Sequence, residues 1–341
     1  MKVAMISTPF EATPPVRYGG TERIVSLLTE GLVGRGHSVD LFATGDSSTT
    51  SNLTSFFEKP FRPYNPAALV AHVVQSFRVI QEGRYDIVHN HAMEYAFLSY
   101  FSNRPMLTTM HNDGATDWAV PMLQAFADLR YVAVSDKQAF NLRQIGVDVA
   151  ARIYCALDLD KYSYSYKEGR YLAFLGNMVK RKGAHNAILT AKKCGIPLKI
   201  GGKTTDPEAK EYFDGELRPH IDGKFIEFLG ELNDQEKIEL LKNASALLFP
   251  IEWEEPFGMV MMEAMACGTP VIGFNRGSVP EVVRHMTTGF VVDNADEMVE
   301  AVARIGEIDR RQCRKNAVDR FDAKAMVLAY ERLYERILQV A

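Results

Sequence analysis

Glu254-Glu255-Pro256-Phe257-Gly258-Met259-Val260-Met261-Met262-Glu263-Ala264-Met265-Ala266-Cys267-Gly268-Thr269-Pro270-Val271-Ile272 is the stretch on which the fold turns. It follows an apolar run that ends at Pro250 and leads into a second apolar run from Pro270. Phe257-Gly258 reads as the opening of a helix over 259–266, and Gly268 as its stop. Strand, loop, helix and strand in that order make a βαβ crossover. The free amides of a helix N-terminus can receive a diphosphate, and Gly258 would let phosphates come close to the backbone. Glu255 stands before the helix, where a carboxylate can accept hydrogen bonds from sugar hydroxyls. Glu263 lies about one and a half turns inside, in reach of a ribose diol. Spacing alone fits equally well a loop and an amphipathic helix carrying two solvated carboxylates.

The same alternation extends in both directions. Towards the N-terminus, strands are expected over 3–7, 39–43, 86–90, 106–110 and 131–134. Helices are expected over 21–35 and 66–81, after His91, and near 120–127. A second series begins near Tyr171, with strands at 171–175, 198–200, 225–229, 246–249 and 270–273. Helices at 184–194, 234–243 and 259–266 separate them, and a last helix spans 323–338. Alternating strands and helices predict parallel sheets, which bind ligands at the C-terminal ends of their strands. The segment 47–65 breaks the rhythm with Ser, Thr and Pro and reads as a long surface loop. The polar, tyrosine-rich stretch 158–169 reads as the linker between two domains.

A chain of 341 residues suits two domains. A net charge of −4 argues against a bulk nucleic-acid binder. The four cysteines, Cys155, Cys194, Cys267 and Cys313, are widely spaced. They read as reduced small hydrophobes, without the pairing of a zinc site. The N-terminus enters a strand at once, without a signal-peptide pattern. No apolar run approaches the ~20 residues of a spanning helix. A cytoplasmic protein is expected, free to touch a membrane surface peripherally.

Four further motifs carry candidate chemistry. Gly176-Asn177-Met178-Val179-Lys180-Arg181-Lys182-Gly183 follows the first strand of the second series. A cation here can neutralise a departing diphosphate, although a loop of solvated lysines explains the composition as well. Tyr18-Gly19-Gly20-Thr21-Glu22 lacks the G-x-G-x-x-G spacing of dinucleotide folds. It serves either as a flexible loop with a Thr N-cap or as a cradle of amides for an anion. His111 directly follows a strand, yet a lone histidine is more often structural. His89-Asn90-His91 ends another strand; two histidines at i, i+2 without a carboxylate or thiolate partner make a weak metal set.

The first stretch, EEPFG…EAMACGTPVI, resembles the E-x7-E signature of family 4 glycosyltransferases (group 1 type, GT-B fold), and the resemblance extends over nearly the whole chain. It implies two Rossmann-like parallel-sheet domains facing a central cleft. The N-terminal, acceptor-side domain would span 1–158 and the nucleotide-sugar-binding domain 159–322. The C-terminal helix 323–341 would pack back on the first domain. The resemblance maps Glu255 to the donor sugar and Glu263 to the nucleotide ribose. The amides of Phe257, Gly258, Met259 and Val260 would face the diphosphate. Gly176 and Lys182 match the family pattern G-R-x4-K-G, which makes Lys182 the phosphate-binding lysine. Asn177 stands where the pattern has arginine, a neutral amide in place of a planar cation, with Arg181 a partial substitute. Gly19 and Gly20 match the loop facing the donor phosphates, His111 the histidine on the donor sugar, and His91 the acceptor side.

The implied reaction is transfer of a hexose from a nucleoside diphosphate sugar to the hydroxyl of an unidentified acceptor, with retention at the anomeric carbon. Residues His111, Lys182 and Glu255 would be catalytic. Neither a metal nor a cofactor beyond the sugar-nucleotide co-substrate is expected. A phosphorylase or sugar-nucleotide epimerase of the same fold is the alternative enzyme, and a non-catalytic sugar-nucleotide or glycan binding protein the alternative class.

Overall fold

Lys2–Ile6 (β1) is apolar at alternate and adjacent positions alike, as a strand covered on both faces must be. In the computed structural model, which describes residues 1–61, 65–114, 116 and 118–340, β1 lies inside a parallel sheet. The chain divides into two compact units, Met1–Ala156 with Ala323–Ala341, and Leu157–Asp322.

The first unit follows β1 with α1 (Gly20–Gly34), β2 (Ser38–Phe42), β3 (Asn52–Thr54), α2 (Pro66–Glu82) and β4 (Ile87–Asn90). A 3-10 segment, Met93–Phe101, leads to β5 (Met106–Met110), α3 (Ala119–Ala125), β6 (Tyr131–Ala133), α4 (Asp136–Gln144) and β7 (Val149–Arg152). Among the described residues the sheet order is β3-β2-β1-β4-β5-β6-β7, every pair parallel. Asn65 starts α2 by accepting from the amides of Ala67 and Ala68, with Pro66 in the first turn, where its missing N–H costs nothing. Two apolar layers fill the unit. Phe42, Leu69, Val73 and Ile80 belong to one, and Met110, Leu123, Tyr131 and Leu142 to the other.

The C-terminal helix, Ala323–Val340, buries Met326, Val327, Tyr330, Leu333, Tyr334 and Ile337, a stripe at helical spacing. It packs on α1 so closely that a Cβ at Gly31 would stand 2.3 Å from Val327. Glu331 holds Arg35 and His37 at 2.7 Å each.

The second unit contains β8 (Leu172–Leu175), α5 (Ala184–Cys194), β9 (Leu198–Gly201), α6 (Pro207–Tyr212), β10 (Ile226–Gly230) and α7 (Asp234–Lys242). It continues with β11 (Ala246–Phe249), α8 (Met259–Ala266), β12 (Val271–Phe274), α9 (Val279–Val282), β13 (Gly289–Val292), α10 (Ala295–Ala303) and α11 (Arg310–Arg320). Among the described residues its sheet runs β10-β9-β8-β11-β12-β13, again all parallel. Both sheets are doubly wound, and their order reverses between β1 and β4 and between β8 and β11. Those switch points are where such sheets leave a crevice for ligands.

Three expectations need correction. The segment 47–65 contains β3, which extends the sheet beside β2; residues 62–64 of it lie outside the described residues. The stretch 158–169 is not a free linker but part of the second unit. Ser165 N donates to Cys267 O at 3.1 Å, and Arg310 Nε donates to Ser165 O at 3.0 Å. The helices α4, α6 and α9 and the strands β7 and β13 were not foreseen. Several are short or strongly charged, so their apolar periodicity is weak. The chain enters the second unit at Leu157 and leaves it at Asp322, and these two residues form a parallel bridge.

Candidate functional site

The switch point of the second unit joins the loop after β8 to the loop after β11. Gly183 adopts φ 76°, and a Cβ there would stand 1.9 Å from Pro250 O, so the two loops touch through bare backbone. Glu252 N donates to Arg181 O at 2.8 Å across the same seam. This approach sets Lys182 against Glu255: the ammonium and Glu255 Oε2 form an ion pair, with side-chain exposures of 18% and 11%. Trp253 Nε1 donates to the same carboxylate oxygen at 3.0 Å, and the Lys182 ammonium lies 4.9 Å from the indole centroid. A charge pair this enclosed keeps most of its strength because little water screens it.

The other residues of the first loop are arranged differently. Arg181 stacks 5.4 Å from Trp253 and reaches Glu208 at 3.5 Å, with its side chain 49% exposed. Lys180 pairs with Glu216 at 3.0 Å. Gly176 N donates to Gly201 O at 3.1 Å, and a Cβ on Gly202 would stand 1.9 Å from Gly176 O. Asn177 Oδ1 is buried with no hydrogen-bond partner. An unsatisfied buried acceptor is rare enough to mark a place where a donor is due.

Gly258 caps α8 at φ 73°, a left-handed conformation that glycine adopts without strain. Gly258, Met259 and Val260 are partly exposed, and Met261 N bonds back to Gly258 O at 3.0 Å. The amides before Met261 therefore form the first-turn donors of the helix. Phe257 is different: its ring is 3% exposed and packs edge-on against Phe321 at 5.8 Å, so its side chain is core. Ser278 braces the turn, donating from Oγ to Phe257 O at 2.6 Å and from N to Glu255 O at 3.0 Å. Glu263 is buried inside α8, accepting from Lys237 Nζ at 2.8 Å and Tyr162 OH at 3.2 Å. Tyr162 comes from the stretch expected to be a linker, and Arg314 fixes that stretch by donating to Leu159 O and Tyr162 O at 3.3 Å each.

At the switch point of the first unit, Gly19 (φ 150°) precedes α1, and a Cβ there would meet Pro15 at 2.7 Å; Gly20 is the first residue of the helix. Glu22, in the first turn, is buried and accepts from Thr8 Oγ1. His91 follows β4 and His111 follows β5, and they meet: His91 Nδ1 is 2.8 Å from His111 Nε2, with the rings stacked at 5.1 Å. His91 Nε2 lies 3.2 Å from Met5 Sδ. His89 sits behind them with Nδ1 2.6 Å from Tyr334 OH and Nε2 2.7 Å from Thr109 Oγ1. Burial pushes the His111 imidazole down to about 4 and the other two well below the usual histidine range. All three are neutral near pH 7.

Sequence reasoning missed Lys237, Tyr162, Trp253, Met5 and Thr109. Each is a common residue in a helix, strand or loop with no motif of its own, and only the folded chain brings it to a motif residue. No group of three or more His, Cys, Asp or Glu side chains among the described residues could hold a metal ion. No helix among them is long and apolar enough to cross a membrane.

Comparison with known proteins agrees with this architecture. The family model for glycosyl transferases group 1 matches residues 159–320, and that for glycosyltransferase family 4 matches residues 18–161. The phosphatidyl-myo-inositol mannosyltransferase of Mycolicibacterium smegmatis is 26% identical, over 99% of this chain and 94% of its own. Among solved structures, sucrose-phosphate synthase from Thermosynechococcus elongatus superposes with a TM-score of 0.84 at 19% identity, covering 100% of both chains. Anabaena HepE in complex with UDP-glucose superposes at 0.76 with 19% identity, covering 99% of both. The two family models together run from residue 18 to residue 320, and the chain belongs to the group 1 (family 4) glycosyltransferases of the GT-B fold.

Proposed function

We propose that this protein is a retaining hexosyltransferase that takes its sugar from a nucleoside diphosphate donor and delivers it to an acceptor hydroxyl. The observation that carries the reading is the Lys182–Glu255 ion pair beside the first turn of α8. An incoming diphosphate competes for the ammonium and is received by the amides of Gly258, Met259 and Val260. Glu255 then exchanges one partner for another. It loses Lys182, stays anchored by Trp253, and accepts from hydroxyls of the donor sugar. Glu263 accepts from the ribose diol, with Lys237 and Tyr162 holding its carboxylate. The similar fold of HepE, which holds UDP-glucose, supports a nucleotide-sugar donor.

In the reaction the acceptor oxygen attacks the anomeric carbon on the face from which the phosphate leaves. The new C–O bond forms as the old one breaks, and the acceptor proton passes to the departing phosphate oxygen. Lys182 and the helix N-terminus stabilise the charge that develops on the diphosphate, so the chemistry calls on positioning and electrostatics rather than a protein nucleophile. No step requires a metal ion. His111 contacts the donor sugar, while Gly19, Gly20 and His91 serve the phosphates and the acceptor side.

The test is a thermal-shift and nucleotide-release screen over a panel of nucleoside diphosphate hexoses, followed by NMR of the product's anomeric proton. Release of nucleoside diphosphate with an unchanged anomeric configuration is expected. Binding of none of the donors sinks the transferase reading; binding without turnover on any acceptor favours a sugar-nucleotide binding protein; inversion removes the retaining assignment.

A further inference from the structure

His91 is enclosed by two neighbours of unequal chemistry. Its Nδ1 faces another imidazole, His111, which can either give or take a proton. Its Nε2 faces Met5 Sδ, and a thioether can only accept. Met5 is a buried residue of β1, fully enclosed, so no water stands in for it as a donor. Two arrangements of the neutral pair follow. With the proton of His91 on Nδ1, its Nε2 lone pair would oppose the sulfur lone pairs inside the core. With the proton on Nε2, the sulfur accepts it, Nδ1 is left as an acceptor, and His111 Nε2–H donates into it. Only the second leaves no acceptor facing an acceptor.

We propose that Met5 is a positioning residue that sets the tautomers of the His91–His111 pair, so that His111 carries its proton on Nε2 and offers a bare Nδ1 lone pair as the acceptor for a ligand hydroxyl. His111 is the partly exposed end of this chain of rings, whereas His89 and His91 are buried. Its Nδ1 has no partner among the described residues. The remaining groups facing the pair are also uncharged near pH 7: His89, Tyr330 and Tyr334 are buried, with the histidine pushed down and the tyrosines pushed up. Thr109 and Tyr334 hold His89 from both nitrogens, which keeps its ring against His91 at 4.1 Å. The pair therefore acts as a fixed hydrogen-bond acceptor rather than a general acid. That His111 uses this lone pair on a donor-sugar hydroxyl rests on the transferase reading above; the tautomer assignment does not.

The experiment is NMR of the full-length protein with 15N-labelled histidine, reading the ring nitrogens near pH 7. His111→Gln and His91→Gln assign the signals. His111 Nδ1 and His91 Nδ1 are expected at the shift of an unprotonated nitrogen, and both Nε2 atoms at that of a protonated one. A protonated His111 Nδ1 in the unaltered protein overturns the proposal, and this measurement depends on no core variant. Met5→Leu keeps the volume but removes the sulfur, and is expected to move both His111 nitrogens towards averaged shifts. Unchanged shifts in that variant would show that Met5 does not set the tautomer. Where UDP-glucose binds, Met5→Leu is expected to weaken it roughly fivefold while leaving UDP itself unaffected, the scale of one hydrogen bond. Equal weakening of both ligands removes the hydroxyl-acceptor role. Absence of UDP-glucose binding in the parent leaves the tautomer assignment to the nitrogen shifts and the transferase reading to the donor panel above.

Discussion

Lys237 Nζ stands 2.8 Å from Glu263 Oε1, joining α7 to the buried face of α8, and only 6% of the glutamate side chain is exposed. Asp234 lies 3.2 Å from the same ammonium, so one lysine serves two carboxylates.

Removing the cation alone leaves Glu263 charged in a poorly solvated place. Lys237→Met is expected to destabilise the second unit by about 3 kcal/mol. Adding Glu263→Leu to it should recover most of that loss, because the uncompensated charge has gone. Urea unfolding of the two variants measures this, and equal losses in both would mean that the pair is not the source. Glu263→Ala by itself is expected mainly to weaken nucleotide binding, read by titration calorimetry.

Lys182 and Asn177 occupy one loop with unequal duties. Lys182→Ala should lower turnover by roughly 100-fold, the scale of losing a charge stabiliser from a reacting centre. Asn177→Ala removes only a neutral amide and should cost less than about tenfold. Single-turnover release of nucleoside diphosphate separates them. An inactive Asn177→Ala beside a fully active Lys182→Ala would overturn the phosphate assignment.

The first unit should lose stability in mild acid. Burial holds the imidazole of His72 at about 4, against 6.5 for a free histidine. Above pH 6.5 the ring is neutral in both folded and unfolded chains, and stability is at its plateau. Between 6.5 and about 4 the unfolded chain takes up a proton that the native one refuses, so stability falls as pH falls. The slope approaches about 1.4 kcal/mol per pH unit for each such histidine, and His89, His91 and His111 add to it in the same direction. Urea midpoints at pH 7.5, 6 and 5 test this; a flat profile across that range would contradict burial of neutral histidines.

Arg310 is a structural clasp. Its guanidinium donates to Ser165 O, Ala244 O, Lys242 O and Thr269 Oγ1 at 2.8–3.0 Å. Arg310→Ala orphans several enclosed acceptors at once and is expected to cost 3 kcal/mol or more, roughly, in thermal or urea unfolding. Arg310→Lys should restore little, since one ammonium cannot span acceptors arrayed around a planar fork. Full rescue by lysine would show that charge, not geometry, is what the site requires.

Much of the candidate site was legible because its residues come as contiguous motifs at the ends of strands. Glu255, Gly258 and Glu263 share one loop and helix, and Gly176 and Lys182 share another; spacing alone left their roles open, and the family resemblance supplied the relation. For Phe257 the motif concerned only the backbone amide; a motif position does not tell which way a ring turns, and this one turns into the core. The placement of Arg181 on Trp253 and Glu208 was likewise beyond the motif, because a long side chain chooses among neighbours that only folding supplies.

The sequence by itself determined the parallel α/β character of both units. Apolar runs of strand length alternate with helical periodicity, and local patterning of that kind survives without knowledge of distant contacts. The partners were decided only by tertiary structure: Lys237 for Glu263, Met5 for His91, Tyr334 for His89, and the union of the C-terminal helix with α1. These pairs lie between 26 and 296 residues apart along the chain. At such separations a residue's chemistry is set by what packing brings against it, and neither composition nor spacing encodes that neighbour.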